Sequence, residues 1–98
     1  SHITGGGFDE NIPRMLPDGV RAVIKKDSYQ VPPIFKLIAQ KGNVSEEVMY
    51  NTFNMGIGMV IAVDPDDVVK ATAAIEAAGD KCYLVGNIEA GEKGVSLC

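Results

Sequence analysis

Tryptophan is absent from these 98 residues, histidine occurs once and cysteine twice. Cys82 and Cys98 make no C-x-x-C pair and are too few for a disulfide scaffold. A zinc site would have to join His2 to both cysteines across almost the whole chain, and no metal centre is expected. No apolar run approaches the roughly 20 residues that cross a bilayer. No basic stretch leading into an apolar block marks a secretory leader. Positive charge is also scarce: 9 Lys and Arg stand against 13 Asp and Glu, giving a net charge of −4. Lys25-Lys26 is the only adjacent basic pair, which argues against nucleic acid as a partner. The composition is that of a cytoplasmic globular domain with neither a nucleic-acid nor a membrane partner.

Glycine, in contrast, occurs 11 times, and two clusters stand out. The first is "HITGGGFDENIPRML", where three consecutive glycines follow His2, Ile3 and Thr4. Glycine loses more conformational freedom on folding than any other residue, so a run of three is a costly way to make an ordinary turn. The second is "FNMGIGM" (Phe53–Met59), where Asn54 precedes Gly56 and Gly58.

Between the clusters the pattern alternates strand and helix signals. "GVRAVIKK" (Gly19–Lys26) carries β-branched residues in alternation and reads as a strand. "VPPIFKLIAQKG" reads as a helix with proline in its first turn, apolar Ile34, Leu37 and Ile38, and Gly42 as its C′ glycine. Ser45 then caps a second helix, with Glu46 and Glu47 in its first turn and Val44 and Met49 at hydrophobic-staple positions. "GIGMVIAV" predicts a buried strand. Asp64 caps "PDDVVKATAAIEAAG", whose Val68, Ala71, Ile75 and Ala78 form one stripe closed by Gly79. "KCYLVGNI" predicts another strand and "GVSL" a weaker last one. Gly56 to Ile88 therefore reads as strand–helix–strand, with the helix covering a sheet face. The expected fold is one α+β domain, a two- to three-layer sandwich of about four mixed strands with helices.

The two glycine clusters are the candidate sites. Neither makes a Walker loop, which needs G-x-x-x-x-G-K-[ST]. Neither makes a dinucleotide fingerprint, because Ile61 occupies the third glycine position. Successive amides of Gly5, Gly6 and Gly7 could form an anion-binding nest, or the run could be a turn without a ligand. His2 belongs to the one residue type that ordinarily changes charge near neutral pH and could serve as an acid–base group or phosphate donor. A terminal histidine without a role fits the local pattern equally. Thr4 and Asn11 bring short polar groups to the same loop. Asn54, Gly56 and Gly58 either bring backbone close to a ligand or make a tight helix-to-strand joint. Met55 and Met59 read as core, and Asp64, Asp66 and Asp67 as a solvated helix start. Spacing and composition reach an α+β domain with two glycine-rich loops and do not name a reaction.

The strings "HITGGGFDENIPRMLP", "PPIFKLIAQKGNVSEEVMYNTFNMGIGM" and "VGNI" closely resemble the phosphoribosylformylglycinamidine cyclo-ligase family, the aminoimidazole ribonucleotide synthetases, over nearly the whole chain up to about Gly91. The resemblance is to the later part of that family's C-terminal domain. It implies an ATP-dependent ring closure in purine biosynthesis, acting on formylglycinamidine ribonucleotide. By the same resemblance His2, Thr4, Gly5, Gly6 and Gly7 line the cleft between the enzyme's two domains, with the glycine amides on substrate or nucleotide phosphate. His2 would stabilise substrate or phosphate, Asn11 would fix the loop, and Asn54, Gly56 and Gly58 would form or pack a second wall. Phe8-Asp9 departs from the commoner apolar pair. The resemblance further implies a homodimer and Mg2+-ATP held mainly by an N-terminal domain that these residues do not include, together with the opening elements of the C-terminal domain. On that reading these 98 residues are catalytically inert by themselves. A small-ligand binding module and another ATP-using enzyme of the same fold group, of the small-molecule kinase or selenophosphate synthetase type, are the alternatives.

Overall fold

Strand β1 (Val20–Ile24) forms where alternating β-branched and small residues turn Ala22 and Ile24 to a buried face. The computed structural model describes residues 1–98 and pairs β1 on both edges. On one side β2 (Gly86–Ala90) runs antiparallel, from Val20 opposite Ala90 to Ile24 opposite Gly86. On the other, β3 (Gly94–Leu97) runs parallel, from Arg21 opposite Gly94 to Ile24 opposite Leu97. The short link between β2 and β3 therefore passes over the start of β1, where the Gly91 amide donates to the Gly19 carbonyl at 3.0 Å. Arg21 fastens this crossing by donating to Ser96 Oγ at 2.6 Å and to the Val95 carbonyl at 2.8 Å.

Four α-helices accompany the sheet: α1 (Gly7–Asn11), α2 (Pro33–Gly42), α3 (Glu46–Thr52) and α4 (Val68–Ala77). The first layer over the buried sheet face comes from α1 and the 3-10 turn Ile12–Met15, with α3 packed alongside. Phe8, Ile12 and Leu16 meet Ala22 and Ile24 in the core, joined by Ile3, Tyr29, Met49, Tyr50, Met55 and Ile57. The molecule is only 20 Å deep along its shortest axis, as two layers require.

Local signals in the sequence act as expected. The Ser45 hydroxyl accepts from the Val48 amide at 3.3 Å, and the Asp64 carboxylate accepts from the Asp66 amide at 3.0 Å. Gly79, at φ 97°, ends α4 in a Schellman pair, the Asp80 amide donating to Ile75 and the Gly79 amide to Glu76. The same motif ends α2 one residue later than the sequence suggests. Asn43, at φ 51°, takes the left-handed position, and Gly42 remains helical.

The sheet has three strands rather than about four. "GIGMVIAV" is not a buried strand: a single bridge joins His2 to Met59, and Met59, Ile61 and Val63 are 58%, 58% and 41% exposed. A strand needs a partner along its length, and here the pairing stops at Ser1. "KCYLVGNI" enters the sheet only at Gly86, whereas the weaker "GVSL" is the parallel strand β3. Helix α4 buries no residue and covers no sheet face, with Val69 82% exposed. The result is an accessible surface of 6489 Å², well above the roughly 5,400 Å² of a compact monomer of this mass.

Candidate functional site

The triple-glycine loop is built around one buried amide. Asn11, on the last turn of α1 and 2% exposed, donates from Nδ2 to the carbonyls of Gly7 at 2.8 Å, Thr4 at 3.3 Å and Gly5 at 3.3 Å. Its Oδ1 accepts from the Thr4 hydroxyl at 3.3 Å. The N–H and C=O of a trans peptide point in opposite directions. Carbonyls of Thr4 and Gly5 drawn inward therefore leave the amides of Gly5 and Gly6 turned outward, and neither amide donates to any backbone acceptor of the chain.

The three glycines are glycine for different reasons. Gly6 and Gly7 adopt φ of 95° and 61°, the left-handed region that L side chains resist. A Cβ on Gly7 would also run into the Tyr50 carbonyl oxygen of α3. Gly5 has open space where its Cβ would stand. Gly7 is thus bare for packing, and Gly5 alone leaves room for something that is not part of the chain.

The second loop is a tight turn. Met55 and Gly56 both have positive φ, 54° and 96°, the Ile57 amide donates to the Asn54 carbonyl at 3.1 Å, and the Gly56 amide donates to Asn54 Oδ1 at 2.9 Å. Tyr29 secures the turn from beneath by donating its hydroxyl to the Met55 carbonyl at 3.0 Å. Burial pushes the Tyr29 phenol well above its ordinary range, and burial followed by the nearby Glu46 carboxylate raises Tyr50 as well. A Cβ on Gly56 would press on the Pro32 ring.

The fold brings the two loops together. The Ile3 amide donates to the Gly58 carbonyl at 2.9 Å and the Val60 amide to the Ser1 carbonyl at 2.8 Å. This puts exposed His2 opposite Met59, and Met59 lies outside the core where the sequence suggested it would be inside. His2, Thr4, Gly5 and Gly58 form the accessible rim, while Gly7 and Asn11 are buried beneath it. Asn54 and Gly56 serve the turn's own geometry. Sequence reasoning missed Tyr29 and the Tyr50 carbonyl, because nothing in "DSYQVPP" or "VMYNT" marks a group that supports a distant loop.

Two shallow hollows of about 200 Å³ and about 280 Å³ lie against Tyr50, and neither is lined by a glycine of the two loops. Asp9, Glu46 and Glu47 surround the first, and Lys26 there is already paired with Glu46, which holds its ammonium pKa above the usual value. Such a hollow repels phosphate. The amides of Gly5 and Gly6, by contrast, have no acceptor in the chain. Free N–H donors of this kind can accept an anion as ligand, and no cluster of His, Cys, Asp or Glu is arranged to hold a metal ion.

The chain belongs to the AIR synthase related family: the C-terminal domain of these proteins matches residues 1–98. It is 70% identical over 98 residues to the phosphoribosylformylglycinamidine cyclo-ligase of Lachnospira eligens, covering 100% of this chain and 29% of that protein. It is 66% identical over 97 residues to the protein of the same name from Agathobacter rectalis, covering 99% and 28%. The chain thus spans under a third of the length of the curated relatives it matches. The likeness continues to Cys98 rather than fading near Gly91.

Proposed function

We propose that residues 1–98 are a C-terminal-domain portion of a cytoplasmic purine-biosynthetic cyclo-ligase and supply one wall of its substrate cleft. The reaction converts formylglycinamidine ribonucleotide to aminoimidazole ribonucleotide. Mg2+-ATP, held mainly by a separate N-terminal domain of a homodimeric enzyme, supplies the phosphoryl group that activates the formyl amide oxygen. A substrate nitrogen then attacks the activated carbon, the C–O bond breaks with loss of phosphate, and the imidazole closes. The observation that carries this reading is the Asn11-held loop, whose Gly5 and Gly6 amides face outward without acceptors.

Backbone amides suit this work. Phosphoryl transfer asks the protein mainly for position and charge stabilisation, and fixed N–H donors provide both without the bulk of a side chain. His2 and Thr4 stand on the same rim to contact phosphate or substrate, and Gly58 leaves the opposite side open. Asn54 and Gly56 shape the second wall.

The test is an amide NMR titration of the chain with formylglycinamidine ribonucleotide. Saturable shifts at Gly5 and Gly6, with Gly79 on the far helix unmoved, support the reading. A folded chain whose loop amides stay still while other amides shift saturably overturns it. With Mg2+-ATP present, these residues alone are expected to form no aminoimidazole ribonucleotide.

A further inference from the structure

The segment after the second glycine loop has the composition of an interior strand and the surroundings of a surface one. Met59, Ile61 and Val63 share one side of an extended chain, Val60 and Ala62 the other, so both sides are apolar, as in strands covered on two faces. Ile61 and Val63 are nevertheless exposed, and the amides of Ile61, Ala62 and Val63 donate to no group of the chain.

The register shows where a partner would enter. Ile3 stands opposite Gly58, His2 opposite Met59 and Ser1 opposite Val60 in an antiparallel ladder. Backbone polar groups alternate sides along a strand. Those of Val60 face residues 1–3, so those of Ala62 face the same way, and those of Ile61 and Val63 face the opposite edge. Only the path ahead of Ser1 extends this ladder without a break. The relatives are more than three times as long as this chain, which covers 29% of the Lachnospira eligens protein.

From this we infer that Ile61–Val63 is a strand-acceptor edge, and that its occupant is the polypeptide ahead of residue 1 in a chain of its relatives' length. That segment runs antiparallel along the edge, and the residue two positions before Ser1 exchanges both backbone hydrogen bonds with Ala62. A second copy of the chain would have to begin a new ladder, whereas this segment continues one already formed. The strand written in "GMVIAV" is completed by that pairing through Ala62, while the backbone groups of Ile61 and Val63 stay on the opposite edge.

The test compares amide exchange in the 98-residue chain with that in a chain carrying, ahead of Ser1, the short segment that precedes the matched region in the Lachnospira eligens relative. The Ala62 amide is expected to exchange at least about tenfold more slowly in the extended chain, as a new ladder bond requires. Ile61 and Val63 should remain fast and the β1 amides unchanged. Equal Ala62 exchange in two chains with intact β1 protection overturns the inference. So does slowing at Ile61 and Val63 without Ala62, which would place a partner on the other edge. Protection that grows with protein concentration would identify a second copy as the occupant and likewise overturns it.

Discussion

Asn11 Nδ2 reaches the Gly7 carbonyl at 2.8 Å from inside the loop whose outer surface is the candidate anion site. One buried side chain thereby sets both the fold of the loop and the direction of its free amides. Asn11→Ala would leave the carbonyls of Thr4, Gly5 and Gly7 without their donor. An expected loss of about 1–3 kcal/mol follows from unsatisfied buried groups, measured by urea unfolding. Asn11→Asp should cost at least as much, because it offers an acceptor to carbonyls that are themselves acceptors. If Asn11→Ala unfolds at the wild-type midpoint, the loop is held by something else.

Gly5→Ala and Gly7→Ala separate the ligand's demand for glycine from the fold's. Gly7→Ala meets a positive φ and the Tyr50 carbonyl, and should destabilise by about 2–4 kcal/mol from left-handed strain and overpacking together. Gly5→Ala meets open space and should change stability by less than about 0.5 kcal/mol. It should still weaken formylglycinamidine ribonucleotide binding, because the new methyl group stands on the outward face. A Gly5→Ala chain that binds as well as the wild type would remove Gly5 from the site.

The caps, turns and helices were legible because each is a short-range matter. Ser45, Asp64 and Gly79 act through neighbours a few residues away, and their side chains or backbone conformations suffice. The parallel pairing of β1 with β3 was not legible, since "GVRAVI" and "GVSL" carry no mark of direction or partner. The strand expected in "GIGMVIAV" has the right residues and lacks a neighbour along most of its length, so propensity alone could not form it. In the candidate site the glycine run is visible in the sequence, but which of its glycines the packing requires depends on Tyr50, which lies far along the chain and contributes only a carbonyl. The apolar stripe of α4 is visible in the sequence, yet periodicity does not say what it faces, and the helix covers no sheet face.

Gly56 tests the second loop in the same way. Its φ of 96° and the Pro32 ring beside it both oppose a side chain. Gly56→Ala should cost about 1–3 kcal/mol and should displace Pro32 at the start of α2. Chemical shifts of Val31 and Phe35 would report that displacement. Gly58→Ala, with nothing near its Cβ, should be tolerated, and equal losses at both positions would contradict this account of the turn.

Tyr29 makes stability sensitive to alkaline pH. Its folded-state phenol is raised above the ordinary 10.0 chiefly by burial, with Tyr50 adding to the effect. Above about pH 10 the unfolded chain releases this proton while the folded chain keeps it. The folded state then binds more protons, and stability falls as pH rises, by up to about 1.4 kcal/mol per pH unit for each phenol held neutral. The contribution is fully present below the unfolded pKa and is lost on the way to the folded one. Lys26, raised by its hydrogen bond to Glu46, moves stability in the same direction, so the comparison that isolates Tyr29 is with Tyr29→Phe. That variant loses the bond to Met55 and should be less stable near neutral pH by about 1 kcal/mol. Because it has no phenol to titrate at this position, its deficit should shrink as pH rises above about 10. Urea midpoints of both proteins across that range check the sign, and a deficit that stays constant would mean that the Tyr29 phenol titrates alike in the folded and unfolded chain.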